Sequence, residues 1–137
     1  MTQRFLRCEV CGNIVAVVED SGVPIVCCGQ NMSEIKANTT DGAVEKHVPV
    51  YKIEDGIVHV KVGSEPHPMT DMHHIVFIAI ETNKGMQIKF VWDEEKGKSC
   101  DEQCKAECCF CLSKGEELVA VYEYCNLHGV FMCEAKR

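Results

Sequence analysis

The sequence predicts a mostly β protein, in which a small metal-stapled N-terminal domain precedes an antiparallel β-sandwich. Three observations predict it. Four cysteines, Cys8, Cys11, Cys27 and Cys28, crowd into residues 1–36 around only two short strand-like runs. A piece that short buries too little apolar surface to fold unaided, so a metal is expected to hold it. From residue 45 onward, short runs of strand character follow one another, separated by turn signals.

The elements follow in chain order. In the first domain, residues 1–36, the runs are Ile14 to Glu19 and Val23 to Cys27. Residues 37–44 begin Ala-Asn-Thr-Thr-Asp-Gly, which is small and polar and reads as a linker. In the second domain, residues 45–137, the expected strands are His47 to Lys52, Ile57 to Val62, His73 to Glu81, Met86 to Trp92, Glu117 to Tyr124 and Val130 to Cys133. Ile57-Val58-His59-Val60-Lys61-Val62 alternates strictly, as a strand with one buried face does. Glu54-Asp55-Gly56, Asn83-Lys84-Gly85 and Lys114-Gly115 supply turns between the runs.

Composition narrows the function. The chain has 137 residues, 46% hydrophobic and 26% charged, the balance of a soluble globular protein. Its longest apolar run, Ile75 to Ile80, is far too short to span a bilayer. A net charge of −7 argues against nucleic-acid partners and anionic membranes. It also means that a site for an anion must carry its own local positive charge. Eleven cysteines without an export signal point to metal or redox chemistry in a reducing, cytoplasmic setting.

Cys8-x-x-Cys11 with the adjacent pair Cys27-Cys28 offers four thiolates, which suit a tetrahedral iron or zinc. Softness and geometry leave both metals open. A disulfide pair is the weaker reading in this setting. A second donor set lies further on. It comprises Glu45-Lys46-His47, Pro66-His67-Pro68 followed by His73-His74, and Cys125-Asn126-Leu127-His128. Each has a bland reading. A Glu-Lys pair is usually solvated surface, and a lone histidine is usually only hydrogen-bonded. His67 resists that reading, because flanking prolines place it in a rigid loop. Cys125-x-x-His128 likewise has ligand spacing on a single turn.

Taken together, these residues resemble the desulfoferrodoxin family, the two-iron-site superoxide reductases. The resemblance covers both ends of the chain and its middle. It implies a desulforedoxin/rubredoxin-like domain followed by an immunoglobulin-like sandwich. It implies two irons per chain. One would be held by Cys8, Cys11, Cys27 and Cys28, a site that zinc can also fill. The other would be held by His47, His67, His73, His128 and Cys125. His59 and His74 match no ligand position. Glu45 resembles the glutamate that takes the sixth iron position in the oxidised resting state. Lys46, beside His47, is the candidate local cation that attracts the anion and helps deliver protons.

The implied reaction is one-electron reduction of superoxide to hydrogen peroxide, a detoxification of anaerobes. Five protein donors are too many for closed tetrahedral zinc. Four imidazoles and one thiolate leave an octahedral iron one open position, and the thiolate pushes electron density across the metal. A rubredoxin-like external donor would re-reduce the enzyme, which the family makes a homodimer. Two other classes compete. One is a non-enzymatic electron carrier working through the four-cysteine iron. The other is a metal or thiol buffer, suggested by the cysteine-rich insertion near residues 99–112.

That insertion departs from the family pattern, as does Cys133. Ser99 to Leu112 reads as a short helix, with a capping box at Ser99 and Glu102 and an end near Gly115. On a helix, Cys100, Cys104, Cys108 and Cys111 would form one stripe, with Cys109 pointing away. A stripe roughly 16 Å long is too extended for one metal to reach all four. Geometry therefore favours a row of small apolar side chains packed on the sandwich.

Overall fold

Short alternating runs joined by tight turns pair antiparallel throughout the computed structural model, which describes residues 3–38, 47–92 and 105–136. The chain divides into two units, Met1–Lys36 and Ala37–Arg137.

The first unit holds β1 (Arg4–Arg7), β2 (Ile14–Val17), β3 (Val26–Cys27), β4 (Gln30–Asn31) and β5 (Ser33–Ile35). β1 is the centre of a three-stranded sheet ordered β2-β1-β5, and β3 pairs with β4. Among its described residues the buried apolar ones are few: Phe5, Leu6 and Cys8. At about 1.5–3 kcal/mol for each fully buried large side chain, so small a core leaves the thiol cluster a clear part to play in stability. Arg4 joins Asp20 and Glu34 across the sheet, but these exposed ion pairs add little.

The second unit holds β6 (Pro49–Glu54), β7 (Ile57–Val62), β8 (Ile75–Thr82), β9 (Gly85–Phe90), β10 (Glu107–Cys111), β11 (Leu118–Cys125) and β12 (Gly129–Glu134). They form two sheets, β10-β7-β6 and β12-β11-β8-β9. The alternation in β7 does what the sequence predicts. Val58, Val60 and Val62 are buried, while Ile57, His59 and Lys61 face outward. Those valines pack with Ile78, Ile80, Phe110, Val121 and Cys125 from the other strands. β11 lies between two strands, and its other face is buried too, through Tyr122 and Tyr124. Tyr124 stacks on its register partner Phe77. Asp55 and Gly56, with φ of 52° and 75°, close the β6–β7 hairpin as a two-residue turn of left-handed residues.

The six strands expected in the second domain form, each within two residues at either end. Strands β1, β4 and β5 lie outside the expected runs, being short and without clear alternation. Val23 to Ile25, expected as strand, lies outside β3.

The expected helix is corrected. Glu107–Cys111 is a strand, paired antiparallel to β7 from Glu107↔Lys61 to Cys111↔Ile57. The capping residues Ser99 and Glu102, with Cys100 and Cys104, lie outside the described residues. The physical reason is tertiary. Cysteine and phenylalanine are indifferent helix formers, and pairing with β7 puts Phe110 into the core, where it is fully buried. The cysteine stripe therefore does not form. In the strand, Cys108 turns inward while Cys109 and Cys111 turn outward.

Candidate metal centres

The first cluster is built by tight turns at the ends of the short strands. Cys8 follows β1, and a turn closed by the Gly12 N–H on the Cys8 carbonyl, at 2.9 Å, brings Cys11 back beside it. Gly12 has φ of 84°, which permits that turn. Cys27 ends β3, and Cys28 takes a left-handed φ of 53°, so that two adjacent thiols reach the same point. The four ligand atoms lie within 4.8 Å of one another. Cys11 Sγ is 3.7 Å from Cys27 Sγ, and Cys27 Sγ is 4.0 Å from Cys28 Sγ. A tetrahedron with metal–sulfur bonds of about 2.3 Å has edges of about 3.8 Å, so the spacing fits one ion.

Hydrogen bonds to the sulfurs agree with that fit. The Cys11 backbone N–H donates to Cys8 Sγ at 3.4 Å, and the Asn13 amide donates to Cys27 Sγ at 3.6 Å. The Cys11 N–H holds the Cys8 thiol down at about 6. Its neighbours Cys11, Cys8 and Cys27 push Cys28 up to about 12. Four thiols packed this closely repel one another when ionised, so a bound cation favours the fully ionised set.

The second cluster gathers at one end of the sandwich. His47 stands just before β6, His67 lies in the β7–β8 connection, His73 stands just before β8, and Cys125 and His128 flank the β11–β12 turn. The rings form a closed circuit. Centroid distances are 4.7 Å for His47–His67, 4.6 Å for His67–His73, 5.0 Å for His73–His128 and 4.6 Å for His128–His47. Each of these pairs is steeply inclined, whereas His47 and His73, across the circuit, lie 6.1 Å apart with their planes at 29°.

The nitrogens converge within the circuit. His47 Nε2 is 3.2 Å from His67 Nε2 and 2.9 Å from His128 Nδ1. Metal–nitrogen bonds of about 2.1 Å at right angles put neighbouring nitrogens about 3.0 Å apart, which matches. His67 Nδ1 lies 2.7 Å from the Pro68 carbonyl, a contact that an N–H must make, so its free lone pair sits on Nε2. Burial lowers His67 to about 4, against the Pro68 carbonyl, which raises it; the ring is neutral and ready to ligate at pH 7.

Cys125 is fully buried and approaches from the interior, with Sγ 3.7 Å from His128 Nδ1. Burial raises its thiol, and the backbone N–H groups of Leu127 and His128 oppose that by donating toward the sulfur. An irregularity in the β11–β8 register falls between Tyr124 and Cys125 and adjusts where that side chain points.

The structure brings His47, His73, Cys125 and His128 within 4.8 Å of one another and sets His67 against His47. His59 and His74 stand apart from this cluster. His74 stacks on Trp92 with ring centroids 4.1 Å apart and contacts the Thr70 carbonyl through Nδ1 at 2.8 Å. Glu45 and Lys46 lie outside the described residues. Cys133 is half-buried and packs against the core.

Sequence reasoning missed two residues here. Asn126 ties the His73 loop to the Cys125 loop: its Oδ1 accepts from the His74 N–H at 2.9 Å, and its Nδ2 donates to the Met72 carbonyl at 3.1 Å. Its place inside Cys125-x-x-His128 was the available signal. Glu123 is fully buried two residues before Cys125, and burial raises its carboxyl well above the ordinary range. An acid in the apolar run Leu118 to Cys125 was its signal.

A small thiol-bearing β unit and a β-sandwich with an imidazole circuit at one end define a β protein with, among the described residues, two groups that could hold a metal. The family model Desulfoferrodoxin matches residues 39–134, and Desulfoferrodoxin, N-terminal domain, matches residues 2–35. The chain belongs to the desulfoferrodoxin family. The desulfoferrodoxin of Syntrophotalea carbinolica is 42% identical over 133 residues, 93% of each chain. That of Nitratidesulfovibrio vulgaris is 40% identical over 129 residues, 94% of each. The crystal structure of the superoxide reductase from Treponema pallidum superposes with a TM-score of 0.74 at 29% identity, covering 98% of this chain and all of that one.

Proposed function

We propose that this chain is a superoxide reductase that reduces superoxide to hydrogen peroxide at an iron held by His47, His67, His73, His128 and Cys125. The observation that carries the reading is the circuit of four imidazoles with a buried thiol beneath it. Held by these five residues, ferrous iron would supply the one electron that the anion needs. His67 and His47 ligate through Nε2 and His128 through Nδ1, following the convergence of those atoms. Cys125, buried beside His128, would be the thiolate ligand, whose charge would make the metal a better electron donor. Its burial keeps water from the sulfur, and the Leu127 and His128 N–H groups hold it in place.

Lys46 and Glu45 complete the proposal from outside the described residues. Lys46 supplies the positive charge that an anion needs in a protein of net charge −7. Glu45 would be the carboxylate that the family resemblance assigns to the resting oxidised site. The overall change adds one electron and two protons to superoxide. A rubredoxin-like donor returns the electron. Cys8, Cys11, Cys27 and Cys28 hold a second iron, or zinc, with no open position, and this site transfers electrons or holds structure. The nine described cysteines are all free, which suits a reducing, cytoplasmic compartment. The family resemblance supports a homodimer.

The test uses anaerobically prepared, ferrous protein mixed with a superoxide pulse. One hydrogen peroxide per oxidised second-site iron, with no oxygen released, is expected. Oxygen release matched to peroxide would indicate a dismutase. An inert second site would favour the electron-carrier reading.

A further inference from the structure

Among residues that belong to neither cluster, the outer face of the β10-β7-β6 sheet carries a thiol and an imidazole in contact. Cys109 and His59 are register partners on β10 and β7, and Lys52 is the partner of His59 on β6. Cys109 Sγ lies 3.2 Å from His59 Nδ1. The pair opens into a groove of about 520 Å³ that Lys52, Lys61 and Glu107 also line. Lys89 from β9 donates to the Cys109 carbonyl, adding a third cation to the surroundings, with Glu107 and Glu54, the latter 3.3 Å from Lys52, as the opposing charges. Neither residue packs in the core, and neither belongs to a metal-binding group among the described residues. Two donors alone fall short of a metal site.

We propose that Cys109 is a peroxide-reactive thiol with His59 as its base. Reactive cysteines sit in accessible, cationic surroundings beside a base, and this one has all three features. In the step, His59 takes the Cys109 proton. The sulfur attacks one oxygen of hydrogen peroxide, forming an S–O bond as the O–O bond breaks. The leaving hydroxide recovers the proton from the imidazolium and departs as water. Sulfur is oxidised by two electrons to sulfenic acid, and the peroxide is reduced. The class of substrate is a small hydroperoxide. Hydrogen peroxide is also the product of the reaction proposed above, so that reading would place it close at hand. The chemistry of Cys109 itself does not depend on either metal.

The neighbours provide internal controls. Cys108, one residue away on the opposite face, packs against the core, and burial pushes its thiol up to about 12. Cys111 is exposed on the same side as Cys109, but its register partner is Ile57. An ordinary thiol with a pKa near 8.5 is about 3% thiolate at pH 7, so pairing with a base can raise reactivity by up to about 30-fold.

The experiment treats the full-length, metal-replete protein with one equivalent of hydrogen peroxide and a 1,3-dione that traps sulfenic acid. Mass spectrometry of the tryptic peptide 106–114 then locates the adduct among its three cysteines. The expected result is labelling of Cys109 at least about tenfold over Cys111, falling to the Cys111 level in His59→Asn while Cys111 is unchanged. Equal labelling of Cys109 and Cys111 in the wild-type chain would overturn the proposal without any variant. So would labelling of Cys109 that His59→Asn leaves intact. A third metal per chain that disappears in His59→Asn would replace the thiol reading with a metal site.

Discussion

Asn126 is the place where loop geometry and metal chemistry meet, and Asn126→Ala tests that link. Its side chain makes two hydrogen bonds, at 2.9 Å to the His74 N–H and at 3.1 Å to the Met72 carbonyl, spanning the residues on either side of His73. The same residue sits between Cys125 and His128. Each bond is worth about 0.5–1.5 kcal/mol net, so alanine should cost the second unit about 1–3 kcal/mol. In a unit of this size that lowers Tm by roughly 4–24 °C. The metal effect should be separable. Residues that orient ligands typically contribute about 10–100-fold in affinity, and this one orients ligands on two loops at once. The assay is competition with a chelator for the histidine-bound metal, alongside thermal unfolding of the metal-free chain. Asn126→Asp provides the control, because it keeps the acceptor for His74 and loses the donor to Met72. Wild-type metal affinity in Asn126→Ala together with an unchanged Tm would refute the argument.

Other outcomes follow from the same structure. Cys11→Ser should remove the first metal, since it breaks the four-thiol set, while leaving superoxide reduction by a pre-reduced second site intact; loss of that reaction in a folded variant would contradict the proposed independence of the two sites. Lys46→Ala should slow the reaction with superoxide by about tenfold or more at low ionic strength and flatten its salt dependence, with iron retained; an unchanged rate constant would remove Lys46 from the proposal. His67 is held down to about 4, so between roughly pH 6.5 and 4 the unfolded chain binds a proton that the folded chain refuses. Stability of the metal-free second unit should therefore fall as the pH drops through that window, by at most about 3 kcal/mol from this ring, and denaturant melts that stay level across it would count against the burial of His67. Phe110→Ala, which empties a fully buried site between the sheets, should cost about 3–5 kcal/mol in the same melts.

Donor chemistry was legible in the sequence because it is local. Cys8-x-x-Cys11, the Cys27-Cys28 pair, the proline-flanked His67 and Cys125-x-x-His128 carry their meaning within a few residues. The strand pattern of the second domain was equally local, since Val58, Val60 and Val62 alternate with polar neighbours wherever the chain ends up. The cysteine-rich segment shows the limit of such reading. Ser99 and Glu102 have the pattern of a helix start, yet Glu107–Cys111 is a strand, because pairing with β7 and the burial of Phe110 outweigh a weak local preference.

What only the tertiary structure decided depends on register between segments far apart in the chain. The order of the rings, with His47 across from His73, comes from where three loops end on the sandwich. The nitrogen that each ring presents is set by contacts such as His67 Nδ1 with the Pro68 carbonyl. Asn126 acquires its part by reaching across 52 residues of sequence to His74, and Cys109 meets His59 across 50. Composition and spacing specify which atoms can bond. Sheet register specifies which of them meet, because a shift of one residue sends every side chain of a strand to its other face.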